Sequence, residues 1–94
     1  MIMATAVATL AIMPESPDVD LEKLKVEIAK LVREFAGERD TKVEIEPVAF
    51  GLKRINFIFV MDEKLGSPDT VAEKIATLDG VQSAEVSDVR RAIG

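Results

Sequence analysis

From Ile2 to Met13 the chain is almost without charge, an apolar run closed by Pro14. A strand apolar on both faces is expected in the interior of a sheet. The period then changes. Leu21, Leu24, Ile28, Leu31, Val32 and Phe35 recur at three- and four-residue steps as one apolar stripe, leaving Glu22, Lys23, Lys25, Val26, Glu27 and Lys30 mainly toward water. That spacing predicts a helix, with Ser16 or Asp18 able to cap its start and Gly37 to end it. Lys42-Val43-Glu44-Ile45-Glu46 alternates polar and apolar, the pattern of a strand with one wet face, and Pro47 suits an edge position because it has no N–H for a ladder. Ile55 to Met61 is a second apolar run, again expected inside the sheet. Ser67-Pro68-Asp69-Thr70 opens a second helix whose buried stripe is Val71, Ile75 and Leu78, with Asp79-Gly80 as its stop. Val81 to Val89 mixes Gln82, Ser83, Glu85, Ser87 and Asp88 among valines and alanine, which predicts another edge strand.

The order is β-α-β-β-α-β with the first and third strands interior. It implies an α+β, ferredoxin-like two-layer sandwich, with an antiparallel sheet ordered 4-1-3-2 and both helices on one face. At 94 residues the whole chain, 1–94, suits a single domain. The phrase Ser16-Pro17-Asp18 followed by Glu22-Lys23-Leu24 recurs as Ser67-Pro68-Asp69 followed by Glu73-Lys74-Ile75, an echo that shared helix-start chemistry accounts for.

Composition narrows the chemistry. Cysteine and histidine are both absent, which removes disulfides, thiolate sites, the commonest general base and the usual transition-metal ligand. The net charge of −5 opposes non-specific binding to nucleic acid or to an anionic membrane. The apolar start lacks a basic leader and is too short to span a bilayer, so it reads as strand, and a cytoplasmic protein is expected. Glu15, Asp18 and Asp20 lack the spacing of a calcium loop and read as helix-start acids. Glu44 and Glu46 share one strand face and read as surface. The glycines form no phosphate cradle, so no bound cofactor or metal is expected. Phe57 and Phe59 alternate on an interior strand, either as core or as the stacking pair of an RNA-recognition sheet. An acylphosphatase-like hydrolase would need an arginine in the loop from Pro14 to Asp20, and none is there. A small-molecule regulatory domain remains an alternative.

The least ordinary surface is Glu46 to Arg54. Pro47 and Gly51 bracket a bend that contains Phe50, with Lys53 and Arg54 directly after it. A phenylalanine there either plugs the end of the core or projects toward a partner. Arg90-Arg91 makes a second basic cluster. With the second strand ending at the Phe50 turn and the fourth ending at Arg90-Arg91, both clusters are expected at the same end of the sheet, where they would form a shared cationic rim around one apolar ring.

These residues resemble a known family. Met13-Pro14-Glu15-Ser16-Pro17-Asp18-Val19-Asp20-Leu21, Pro47-Val48-Ala49-Phe50-Gly51-Leu52, and Gly80-Val81-Gln82-Ser83 through Asp88-Val89-Arg90-Arg91 are similar, in order and over nearly the whole chain, to motifs of archaeal translation elongation factor 1-beta. The resemblance implies guanine nucleotide exchange on the elongation factor 1-alpha GTPase by complex formation without covalent chemistry. It further implies that Phe50 of the Phe50-Gly51 turn contacts the GTPase, and the cationic rim of Lys53, Arg54, Arg90 and Arg91 is expected to surround that contact. The resemblance also places Arg91 where eukaryotic relatives carry a lysine that approaches the magnesium and phosphates of the GTPase. A guanidinium there is broader than an ammonium. Self-association is left open by the exposed edge strand at Lys42–Glu46.

Overall fold

A computed structural model describes residues 5–92 of the chain. Strand β1 spans Thr5–Pro14, helix α1 Leu21–Ala36, β2 Thr41–Pro47, β3 Lys53–Asp62, α2 Asp69–Ile75 and β4 Val81–Ala92. Short 3₁₀ turns at Ala49–Gly51 and Glu63–Leu65 flank β3. The sheet runs β2-β3-β1-β4 with every pairing antiparallel, which is the expected 4-1-3-2 order read from the other edge. Ile2 to Ala4, assigned above to the first strand, lie outside the described residues.

Alternation decides which face is core. Ala6, Ala8, Leu10 and Ile12 of β1 and Ile55, Phe57, Phe59 and Met61 of β3 face the same way, and they bury against Leu24, Ile28 and Val32 of α1 and Val71, Ala72 and Ile75 of α2. Both helices therefore cover one face. Phe35 of α1 closes one flank edge-to-face on Phe59, with ring centroids 6.4 Å apart. On the other face Val7, Thr9, Met13, Ile58 and Val60 stay partly accessible along the middle of the sheet.

The helices begin on local chemistry. Asp20, rather than Ser16 or Asp18, caps α1: its Oδ1 accepts from the N–H groups of Glu22 and Lys23 at 3.1 and 3.2 Å. Ser16 instead folds the preceding turn, its Oγ accepting from Asp18 N–H. At the other end Gly37 N–H donates to Arg33 O. Helix α2 stops at Ile75, short of Leu78, because the last turn tightens: Thr77 and Leu78 donate to Lys74 and Ile75, a 3₁₀ pattern.

Strand β4 runs past Val89 to Ala92 and is offset twice against β1, between Thr9 and Leu10 and between Met13 and Pro14. At the first offset the extra residue is Ser87, whose hydroxyl donates to Thr9 O. Such bulges bend a long edge strand and make it a poorer template for another chain.

Candidate functional site

The β2–β3 hairpin carries its turn as a knuckle. Val48 N–H donates to Leu52 O at 2.8 Å and Leu52 N–H to Ala49 O at 3.3 Å, so the chain folds back on itself over Ala49-Phe50-Gly51. Phe50 sits at φ 63°, ψ 29°, and Gly51 follows at φ 76°. Among the described residues Phe50 alone reaches positive φ without being glycine. A side chain in that left-handed region costs about 1–2 kcal/mol. Burial of the ring does not offset that cost, because Phe50 is 93% exposed. The reading of this phenylalanine as a plug at the end of the core is therefore excluded, and its ring projects from the turn.

Below the knuckle the two strands are locked across the open face of the sheet. Glu46 and Arg54 are direct partners in the register. Glu46 Oε1 accepts from Arg54 Nη2 at 2.6 Å, from Arg54 Nε at 3.1 Å and from Asn56 Nδ2 at 3.2 Å. The Arg54 hydrogen bond, then that from Asn56, then the guanidinium charge hold the Glu46 carboxyl below the usual carboxylate range. Arg54 is thus engaged within the hairpin stem, whereas Lys53 is exposed and has no ion pair among the described residues. Glu44 and Glu46 are both on the surface as expected, but Glu46 also staples the stem. Its symmetric distance from the turn relative to Arg54 was a signal available in the sequence.

The second basic cluster lies elsewhere. Arg90 is opposite Val7 and Arg91 opposite Ala6, which in turn faces Met61, while Lys53 stands beside Pro47 at the hairpin turn. The shared rim is therefore corrected: in an antiparallel 4-1-3-2 sheet β2 runs with β1 and β4 against it, so the two strands finish at opposite ends. Lys53 and Met61, the residue level with Arg91, are eight residues apart along β3, so the clusters are separated by about 25 Å at about 3.3 Å per residue. Arg90 pairs with Asp88 on its own strand, and Arg91 Nε donates to Glu63 Oε1 at 2.7 Å, tying β4 to the turn that follows β3.

Other candidates resolve simply. Asp20 is a helix cap, and no grouping of acidic residues suited to a metal is found among the described residues. Phe57 and Phe59 are each 1% exposed and point at the helices, so the open sheet face has no stacking aromatics. No helix among the described residues is long and apolar enough to cross a membrane.

The profile of the EF-1 guanine nucleotide exchange domain matches residues 7–92. The chain belongs to that family. It is 44% identical over 89 residues to elongation factor 1-beta of Methanothermobacter thermautotrophicus, covering 95% of this chain and 98% of the relative. The corresponding protein of Methanobrevibacter smithii is 46% identical over 89 residues with the same coverage, and that of Pyrococcus horikoshii is 42% identical over 86 residues, covering 90% and 92%. A solved structure of a de novo designed protein, Foldit4, superposes with a TM-score of 0.63 at 19% identity, over 96% of this chain and 98% of that one, a likeness of fold alone. In this chain the exposed left-handed phenylalanine at one end of the sheet is left unexplained by fold and packing, whereas the arginine pair at the other end is engaged in ion pairs.

Proposed function

We propose that this chain promotes GDP release from elongation factor 1-alpha, and so its reloading with GTP during translation, by forming a complex with the GTPase and without a covalent step. One observation carries the reading: in a member of the exchange-domain family, Phe50 is held outside the core in a conformation that folding alone would not favour. A projecting aromatic on a rigid turn is the kind of anchor that fills a pocket on a partner. Gly51 and Lys53 complete this contact, and Arg54 holds its stem. Arg90 and Arg91 make a second contact about 25 Å away along the sheet, so the GTPase meets the factor along its long dimension.

Exchange follows from linkage. A factor that binds the nucleotide-free GTPase more tightly than the GDP-bound form must, by the same ratio, be displaced by returning nucleotide. It speeds equilibration, and the nucleotide pool sets the direction. Arg91 is suited to perturb the phosphate and magnesium region of the partner by its charge, and to do so its guanidinium must leave Glu63. RNA binding is disfavoured, because both strand phenylalanines are in the core and the net charge is −5.

The test is release of a fluorescent GDP analogue from elongation factor 1-alpha with catalytic amounts of the wild type, Phe50→Ala and Arg91→Ala. Wild type is expected to accelerate release, and folded Phe50→Ala to lose at least about tenfold of that acceleration, the scale of a truncated anchor. An unchanged release rate with wild-type protein would sink the reading.

A further inference from the structure

We infer that the free edge of β2 is a self-pairing surface: two copies of this chain join antiparallel through residues 41–45, about a twofold axis at Val43, into one continuous sheet. The two edges of the sheet are not alike. Strand β4 is offset twice against β1, which breaks the row of groups it could offer another strand. Strand β2 keeps an unbroken register with β3 from Thr41↔Phe59 to Pro47↔Lys53, and its outer side has no neighbour in the sheet. It therefore presents a regular row of donors and acceptors to whatever strand can match it.

The hairpin fixes which residues present that row. Val48 N–H donates to Leu52 O, so Val48 directs its backbone inward to β3. Alternation then turns the backbone groups of Lys42, Glu44 and Glu46 inward and those of Thr41, Val43 and Ile45 outward. Pro47 agrees with this phase, since its place is an outward one, where a missing N–H breaks no bond to β3. A second strand can bond to β2 only by setting outward residues against outward residues. The side chains divide the same way. Lys42, Glu44 and Glu46 lie on the open face opposite Ile58, Asn56 and Arg54, whereas Val43 and Ile45 lie on the helix side, Val43 partly buried and Ile45 38% exposed.

These rules leave few registers, and charge selects one. With Val43 on the axis, Val43 bonds to Val43 of the second copy, Thr41 bonds to Ile45 on either side, and Lys42 faces Glu44 twice at the closely spaced positions between them. Within one chain Lys42 Nζ already lies 3.2 Å from Glu44 Oε1, so the joined face carries lysine and glutamate in alternation. Glu46 stands outside the paired segment, and its carboxylate is taken by Arg54. Moving the axis to Glu44 sets that carboxylate against its own copy and brings Thr41 opposite Pro47, which has no N–H to give. An axis at Lys42 opposes two ammonium groups, and one at Ile45 opposes Glu44 to Glu46. On the helix side the chosen register covers Ile45 with the Thr41 methyl and Val43 with its own copy. The Phe50 turn and Arg91 both lie off this segment, so the inference stands apart from the exchange reading.

Sedimentation velocity of the full chain over a concentration series is expected to show a mass moving from one chain to two, half-assembled between about 10 μM and about 1 mM, as suits a small interface. Glu44→Lys sets a second ammonium opposite Lys42 and should raise the dissociation constant by about tenfold or more, and Lys42→Glu should do the same by opposing two carboxylates. The double variant Lys42→Glu with Glu44→Lys restores opposite charges in this register alone and should assemble like the wild type. These side chains are exposed, so each variant keeps its fold, which circular dichroism checks. Amide exchange by NMR reads the edge directly. The N–H groups of Thr41, Val43 and Ile45 should gain protection as concentration rises, while those of Lys42, Glu44 and Glu46, already turned to β3, should not change. A mass of one chain throughout the series overturns the inference and leaves the edge to a strand of some other molecule. A dimer that both single reversals leave intact, or that the double reversal fails to restore, overturns it equally, because another register or another surface then holds the copies together.

Discussion

Phe50 places function and stability in opposition at a single residue. Its left-handed backbone costs about 1–2 kcal/mol, while glycine there would lose about 0.5–1 kcal/mol more backbone entropy on folding. Phe50→Gly should therefore unfold at slightly higher denaturant than wild type, by about 0.5 kcal/mol, while exchange is lost. Urea unfolding of the two proteins decides it, and a clear destabilisation would mean that the ring packs in solution. Glu46 makes a different prediction. Its folded pKa is lowered, so the unfolded chain binds more protons below the ordinary value of 4.5. The stabilisation from the Arg54 and Asn56 bonds is then present above that pH and is lost as pH falls through the lowered folded value. Glu46→Gln should flatten the pH dependence of stability below about pH 4.5, measured by denaturation across that range, and leave the slope near neutrality unchanged. Phe50 was conspicuous in the sequence because a large ring beside a turn glycine needs an explanation. Its left-handed backbone was not, since the turn takes positive φ at two successive positions and only the second of them, Gly51, is a residue type that announces it.

At the level of elements, hydrophobic period was sufficient wherever one face meets the core. The stripe of α1 and the apolar runs of β1 and β3 take the places expected of them, whereas the apolar face of β2 is only partly covered, with Val43 packed against the core and Ile45 left exposed. The ends of elements were less legible, because they depend on which of several competent groups wins. Ser16, Asp18 and Asp20 can all cap, and only the loop path decides for Asp20. The direction of β4 relative to β2 followed from topology alone, and combining strand order with strand sense would have separated the basic clusters from the start. One junction of elements deserves a test of its own. Gly80 is at φ 88°, and a Cβ there would lie 3.1 Å from Val19 Cγ1, where the α2–β4 turn meets the loop before α1. Gly80→Ala should cost about 1–3 kcal/mol from backbone strain and crowding. In a Val19→Ala background the added cost should shrink, since the crowding is relieved and only the backbone strain remains. Equal costs in both backgrounds would show that the contact with Val19 is immaterial.

For the whole molecule, the decisive feature is that the two proposed contacts occupy opposite ends of one continuous sheet. The protein is elongated, 48 × 21 × 18 Å, and between the Phe50 knuckle and Arg91 lie the register-locked strands β1 and β3, paired from Thr5↔Asp62 to Ile12↔Ile55. Nothing in that packing gives one end a route to alter the other. Their contributions to binding nucleotide-free elongation factor 1-alpha should therefore add. Sites more than about 7–10 Å apart with no shared partner are additive within about 0.5 kcal/mol. If Phe50→Ala and Arg91→Ala each weaken the complex by about tenfold, or about 1.4 kcal/mol, the double variant should weaken it by about a hundredfold. Salt separates their physics: raising ionic strength should erode the Arg91 contribution by screening and leave that of the Phe50 ring nearly intact. Titration calorimetry of the four proteins at two salt concentrations reads both effects. A double variant no weaker than the worse single one would mean that the GTPase cannot engage either end without the other, so that the coupling resides in a rearrangement of the partner and the picture of two independent contacts along a rigid sheet is wrong.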